Sequence, residues 1–279
     1  MTAVSPQLRA RNQALLERLR AAGRLLVAFS GGVDSSYLAY AARQVLGDGC
    51  LAVTAVSPSY PRDQREMAEK IVAGFDIPHS FIATREMESA AYCANDSDRC
   101  YHCKSELFSR LNALREELDF DAVAYGINTD DRGDFRPGHR AAAEHAVLSP
   151  FLDAALSKRD IRVLSREVGL PTADQPASPC LASRLPYGTE VTAERLAQVE
   201  TGEQRLRALG FRQVRLRHHG PLARVEIDPS EMARAFDPSV SRAIVEAIKA
   251  LGFRWVALDL EGYRTGSLNE ALFVKRESD

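Results

Sequence analysis

The chain of 279 residues predicts an α/β fold: a doubly wound, mostly parallel sheet followed by a smaller C-terminal α+β domain. Short apolar runs alternate with helix-period segments through the first half, the signature of βαβ units. A Pro-rich link, PTADQPASPCLASRLPYG (171–188), then interrupts regular structure. Beyond it the order becomes helix, two strand-like runs, helix, strand. The division this suggests is residues 1–175 and 176–279.

In chain order, the N-terminal segment reads as an amphipathic helix with Leu8, Leu15, Leu16 and Leu19 on one side. RLLVAFS (24–30) is a buried strand, and SYLAYAARQVLG (36–47) is a helix stopped by Gly47-Asp48-Gly49. CLAVTAVS (50–57) and HSFIAT (79–84) are strands around the helix RDQREMAEKIVAGF (62–75). KSELFSRLNALREEL (104–118) is a helix through Leu107, Leu111, Leu114 and Leu118, and DAVAYGIN (121–128) a fourth strand. Ser157 and Asp160 form a capping box for IRVLSREVGL. In the second half come a helix (193–209), the runs FRQVRLRHHG and ARVEID joined by Gly220-Pro221, a helix (230–250) and the strand RWVALDL (254–260).

Composition narrows the function. A formal net charge of −2 gives no basic field to draw the chain onto nucleic acid or an anionic membrane. No run approaches the ~20 apolar residues of a membrane span. An odd number of cysteines with no export signal suggests a reducing cytoplasm, where clustered thiols serve metal or sulfur chemistry. Cys50, inside a strand, reads as core.

FSGGVDSS (29–36) sits between a strand and a helix. Glycines admit an anion close to the backbone, and unpaired N–H groups at a helix start point toward it. Neither a Walker loop nor G-x-G-x-x-G is present. Asp34 would repel phosphate unless Mg²⁺ accompanied it. SGGxDS after a strand resembles the PP-loop ATP pyrophosphatases, which cleave ATP to AMP and pyrophosphate while adenylating a substrate oxygen. The resemblance implies that Ser30, Gly31, Gly32, Asp34, Ser35 and Ser36 hold pyrophosphate or its Mg²⁺, and that Gly126 lets the nucleotide approach.

Cys100-x-x-Cys103 and Cys180 are the thiols with chemical context. CxxC alone fits zinc, redox chemistry or a cluster, and there is no second CxxC to complete a structural zinc site. Three cysteines suit a [4Fe–4S] cluster with one open iron. In VRLRHHGPLARVEI, strand periodicity sets Arg215 and Arg217 on one face, a geometry suited to a phosphate, with Glu226 able to orient them. The bland alternative is a solvated strand face.

Taken in order, SGGVDSS, RCYHCK, NTDD…DFRPG, SPCLASRLPYG and VRLRHHGPLARVEI resemble the LarE family of ATP-dependent sulfur transferases over most of the chain. The resemblance implies adenylation of a carboxylate of pyridinium-3,5-biscarboxylate mononucleotide and its conversion to a thiocarboxylate. That chemistry builds the nickel-pincer nucleotide cofactor of lactate racemase. It implies Lys104 against developing phosphate charge, and Ser183, Arg184, Arg215 and Arg217 around the substrate phosphate. The resemblance likewise implies that Glu203 and Glu226 are acidic residues of the same pocket. It also implies a homo-oligomer, trimer or hexamer, and the other enzymes of that cofactor's synthesis as partners. In sacrificial members the cysteine matching Cys180 gives up its sulfur and becomes dehydroalanine. Those members lack the CxxC, so this chain is similar to the three-cysteine branch, in which Cys100, Cys103 and Cys180 bind a [4Fe–4S] cluster that carries the sulfide. The rivals are a tRNA thiolase, which needs a basic surface, an amidating ligase, which leaves the thiols unexplained, and a non-catalytic nucleotide-binding regulator, which has no use for Cys180.

Overall fold

The computed structural model describes residues 4–133, 137–176 and 178–264. It divides into two compact units: residues up to Ser89 together with Asp98–Ser178, and Ala90–Ser97 together with the chain from Pro179 on.

The first unit is built on β1 (Leu25–Ala28), β2 (Cys50–Val56), β3 (His79–Ala83) and β4 (Ala122–Tyr125), in the order β3-β2-β1-β4 with every pairing parallel. Helices α1 (Pro6–Ala21), α2 (Val33–Leu46), α3 (Arg62–Gly74), α5 (Arg99–Glu117), α6 (Pro137–Glu144), α7 (Pro150–Asp153) and α8 (Lys158–Glu167) surround it. Alternation along β1 sends Leu25 and Val27 into one core with Leu15, Leu19, Leu38 and Leu164. Leu26 enters the opposite core with Val53, Phe108, Leu111 and Val123. Helices therefore cover both faces, the doubly wound arrangement that near-continuous apolar strands demand. Each fully buried leucine contributes ~1.5–3 kcal/mol. Cys50 is wholly buried, and burial pushes its thiol up to about 12.

β1 lies between β2 and β4. The chain leaves β1 toward β2 on one side and returns to β4 on the other, so the carboxyl ends of β1 and β4 flank the topological switch point where ligands bind in such sheets. The capping box at α8 is present, with Ser157 Oγ accepting from Asp160 N and Asp160 Oδ2 accepting from Ser157 N, each at 3.1 Å.

In the second unit β5 (Val214–His219) and β6 (Leu222–Ile227) form an antiparallel hairpin turned at Gly220, which has φ +62°, and β7 (Trp255–Leu258) joins β6 in parallel. α4 (Ala90–Cys93), α9 (Ala193–Ala208), α10 (Met232–Ala235) and α11 (Pro238–Lys249) complete it. The single helix expected over 230–250 is broken. Pro238 cannot continue a helix from behind, and Asp237 instead caps a new one through the N–H groups of Ser239 and Val240.

The segment 90–97 carries no apolar periodicity that would assign it to the second unit; one side chain does. Asn95 is fully buried, and its amide donates to the carbonyls of Pro186 and Thr189 at 2.8 Å and of Leu185 at 3.4 Å. Its own carbonyl accepts from Gly188 N at 3.0 Å. Asn95→Ala should therefore destabilise this unit by about 1–3 kcal/mol, the cost of stranding buried carbonyls. A melting temperature equal to wild type would show the clasp to be idle.

Candidate active site

The phosphate loop is assembled by β1 running straight into Phe29–Gly32. Gly31 has φ +72°, and a Cβ there would stand 3.0 Å from the Gln64 carbonyl oxygen and 3.1 Å from Ala68 N, so both the turn and the close pass against α3 require glycine. Gly32 caps α2 in an extended conformation. Ser35 Oγ accepts from Ser30 N and contacts Ser30 Oγ, both at 3.1 Å, and donates to the Gly32 carbonyl at 3.2 Å. Ser36 is fully buried, and its Oγ has no hydrogen-bond partner among the described residues. The hydroxyl of Tyr60 donates to the Ser30 carbonyl at 3.0 Å. Gly126, just past β4, abuts α2 itself: a Cβ there would lie 3.0 Å from Asp34 C and Ser35 N. Its smallness lets the end of β4 meet the start of α2, which closes the cradle's wall.

Asp34 stands in the first turn of α2. Its Oδ2 is 2.5 Å from Lys158 Nζ, whereas its buried Oδ1 has no partner among the described residues. Burial raises its pKa above the ordinary carboxylate value, and the Lys158 ammonium only partly opposes that shift. A buried carboxylate with one oxygen unsatisfied is a suitable ligand for a hard, oxygen-seeking cation, so the residues present fit Mg²⁺. The loop after β4 is knitted to the start of α8. Asn128 N donates to Asp131 Oδ2, Asp130 N to Asn128 Oδ1, and Lys158 N to Asp130 Oδ2, at 3.0–3.1 Å. The expected NTDD…DFRPG stretch continues past this point into residues 134–136, which lie outside the described residues.

α5 begins five residues earlier than the apolar pattern suggested, at Arg99. Cys100, Cys103 and Lys104 therefore share its first turns and, at i, i+3 and i+4, one face. Cys100 is exposed and Cys103 half-buried. Lys104 Nζ lies 5.9 Å from the Phe108 ring centroid, and Gly138 of α6 passes so close that a Cβ would sit 2.9 Å from Lys104 Cγ.

In the second unit Cys180 precedes the single 3₁₀ turn Leu181–Arg184 and is half-buried. Arg184, 1% exposed, grips Glu203 with two bonds of 2.9 and 3.1 Å and sends Nη1 to the carbonyls of Pro179 and Cys180 and to Ser183 Oγ. Arg184 thus fixes the backbone on either side of Cys180. Arg217 makes a second fork–fork pair, to Glu226 at 2.9 and 2.8 Å, and donates to the Ser183 carbonyl. Arg215 donates to the Val214 carbonyl and stacks 5.1 Å from the Tyr263 ring centroid. Arg215 and Arg217 are 4% and 5% exposed, so the solvated strand face is ruled out.

Burial by itself would raise the Glu203 pKa, but Arg184, Arg215 and Arg207 more than reverse it and hold the carboxylate below its usual range. Burial and the Arg184 charge push Arg215 the other way, downward. Arg184, Arg207, Arg215, Arg217 and Arg224 crowd Glu203, Glu226 and Asp259. Guanidiniums in such a cluster present the planar donor forks that suit a phosphate.

Among the described residues no three His, Cys, Asp or Glu side chains gather closely enough to hold a metal ion. Three thiolates are the right donors for an iron–sulfur cluster; Cys100 and Cys103 belong to the first unit and Cys180 to the second. Nor is any helix among the described residues long and apolar enough to cross a membrane. Sequence reasoning missed Lys158 and Tyr60. Lys158 was in view as the first residue of a capped helix, but nothing local announces that its ammonium meets Asp34, 124 residues away. Tyr60 lies in the loop that follows β2, at the carboxyl end of the sheet.

The strand, glycine turn and serine-lined helix start define a PP-loop ATP-utilising enzyme. The asparagine synthase family model matches residues 9–102, which span this loop. The chain is 34% identical over 261 residues, 92% of its length and 93% of the relative's, to the pyridinium-3,5-bisthiocarboxylic acid mononucleotide synthase of Lactiplantibacillus plantarum. It therefore belongs to the LarE family of that synthase. It is also 43% identical over 249 residues, 89% of its length and 93% of the relative's, to an uncharacterized protein of a Synechocystis species. A third relative, an uncharacterized protein of Methanocaldococcus jannaschii, is 27% identical over 242 residues, 87% of this chain and 91% of its own length.

Proposed function

We propose that this protein is an ATP-dependent sulfur transferase that activates a carboxylate of pyridinium-3,5-biscarboxylate mononucleotide and converts it to a thiocarboxylate. The observation that carries the ATP half is the phosphate loop with Asp34 Oδ1 buried and unsatisfied beside it. The carboxylate oxygen attacks the α-phosphorus of ATP, an acyl-adenylate forms, and pyrophosphate leaves. The backbone N–H groups at the start of α2 and the Ser30, Ser35 and Ser36 hydroxyls hold the departing group and Lys104 supports the developing charge; Asp34 would hold Mg²⁺, which would supply charge neutralisation there. A sulfur nucleophile then attacks the acyl carbon and expels AMP. Arg215 and Arg217, with Ser183 and Arg184 beside them, receive the substrate's phosphate, while Glu203 and Glu226 keep Arg184 and Arg217 in place.

The sulfur carrier in this reading is a [4Fe–4S] cluster on Cys100, Cys103 and Cys180, which would supply a replaceable sulfur atom. The CxxC pair on one face of α5 supports it. In a second reading Cys180, whose flanking backbone Arg184 holds, itself gives its sulfur and is left as dehydroalanine. Anaerobically purified protein should contain iron and acid-labile sulfide and keep its mass through turnover. Iron-free protein that transfers sulfur and emerges lighter by H₂S would overturn the cluster and establish the sacrificial route. A cytoplasmic location and a trimeric or hexameric assembly complete the proposal; sedimentation of the purified protein as a monomer would remove the latter.

A further inference from the structure

We infer that Lys158 is a second cation of the phosphate site, which neutralises Asp34 while the site is empty and moves to the polyphosphate when Mg²⁺ takes its place. The inference rests on the ATP-cleaving reading above. Three observations carry it. Lys158 Nζ bonds one oxygen of Asp34 at 2.5 Å while the other oxygen, buried, has no partner among the described residues. The ammonium therefore satisfies only half of the carboxylate, and a divalent ion drawn to the free oxygen competes directly for the other. The backbone of Lys158 is fixed, as the first residue of α8 behind the Ser157–Asp160 capping box and through its own N–H to Asp130 Oδ2. Its side chain is one-third exposed, so the four-carbon stem retains freedom to swing.

Asp34 is in the first turn of α2, where N–H groups converge on any bound phosphate. An ammonium leaving Asp34 is thus within a side chain's swing of the anion held by that turn. When pyrophosphate leaves, Lys158 returns to Asp34 and favours loss of the metal. No bond is made or broken; a +1 charge on the carboxylate is exchanged for +2, and the lysine's charge is passed to the leaving group.

The exchange predicts opposite shifts in two binding measurements on the full chain. In Lys158→Met, Mn²⁺ followed by electron paramagnetic resonance should bind the nucleotide-free protein several-fold more tightly, because the competing ammonium is gone. Pyrophosphate with Mg²⁺, followed by calorimetry, should bind about tenfold or more weakly, a loss of ~1.4 kcal/mol or greater. Lys158→Arg, which keeps the charge, should recover most of the pyrophosphate affinity, and Lys158→Gln gives the same readout should Met disturb packing. A Lys158→Met protein that binds Mn²⁺ and pyrophosphate both more weakly, or pyrophosphate unchanged, overturns the exchange while leaving the ATP reading intact. Wild-type protein that binds no pyrophosphate in the same titration removes the ATP reading and the exchange together.

Discussion

Replacing Glu203 with Ala is expected to cost the second unit about 3–5 kcal/mol, enough to take most of the stability of a domain of this size. Glu203 is 2% exposed and receives two bonds from Arg184, one from Arg207 and one from Leu216 N. Removing it takes two charge-assisted bonds from the fully buried Arg184 guanidinium, and adds a cavity between α9 and β5. A fall in melting temperature of roughly 10–20 °C follows for a unit of about a hundred residues. The acid limb carries a second signature. Because the folded pKa of Glu203 lies below its unfolded value of 4.5, its contribution is fully present above that pH and is lost as the pH falls through the folded value. Glu203→Gln should therefore be less stable than wild type at pH 7, with the gap narrowing in acid. Melting curves from pH 7 to pH 3 that stay parallel for the two proteins would show that the carboxylate's charge does not matter to the fold.

The features legible in the sequence are those with a local period or a local steric rule. β1, β2 and β4 were visible because they read as short, nearly unbroken apolar runs, and α8 because its capping box lies within four residues. The phosphate loop was legible because only glycine satisfies the turn at Gly31. What escaped was set by contacts far apart in the chain. The first turn of α5 is polar, RCYHCK, and is drawn into the helix by its continuation into Phe108 and Leu111 rather than by a pattern of its own. The segment around Asn95 is assigned by hydrogen bonds to carbonyls some ninety residues on. The arginine strand shows the limit most plainly. Period two correctly put Arg215 and Arg217 on one face, but whether that face met water or carboxylates depended on α9 and on the turn at Leu181–Arg184. Glu226 could be anticipated as the orienting partner because it lies on the neighbouring run; Arg207 and Arg224 could not.

Asp34→Asn should sharply slow ATP-dependent turnover without harming the fold, the reverse of the Glu203 outcome, and the difference lies in how each carboxylate is compensated. Glu203 is surrounded by enough positive charge to lie below its ordinary pKa; Asp34 lies above its own because burial outweighs Lys158. By linkage, a folded-state carboxylate with a raised pKa destabilises the protein at neutral pH, and the loss is relieved as the pH falls through that raised value. An amide of the same shape removes the buried charge, and Lys158, one-third exposed, can turn its ammonium to water. The melting temperature should therefore stay level or rise. Catalysis should fall by about 10²–10³-fold in pyrophosphate release, the scale for losing one preorganised charge-stabilising element, because the neutral amide binds the metal poorly. The retained carboxylate is then a cost to stability accepted for function. The assay is pyrophosphate release with Mg²⁺ and ATP, run beside a thermal melt. Wild-type turnover in Asp34→Asn would remove the metal from the site, and a large fall in melting temperature would make Asp34 a structural residue whose loss of activity means only unfolding.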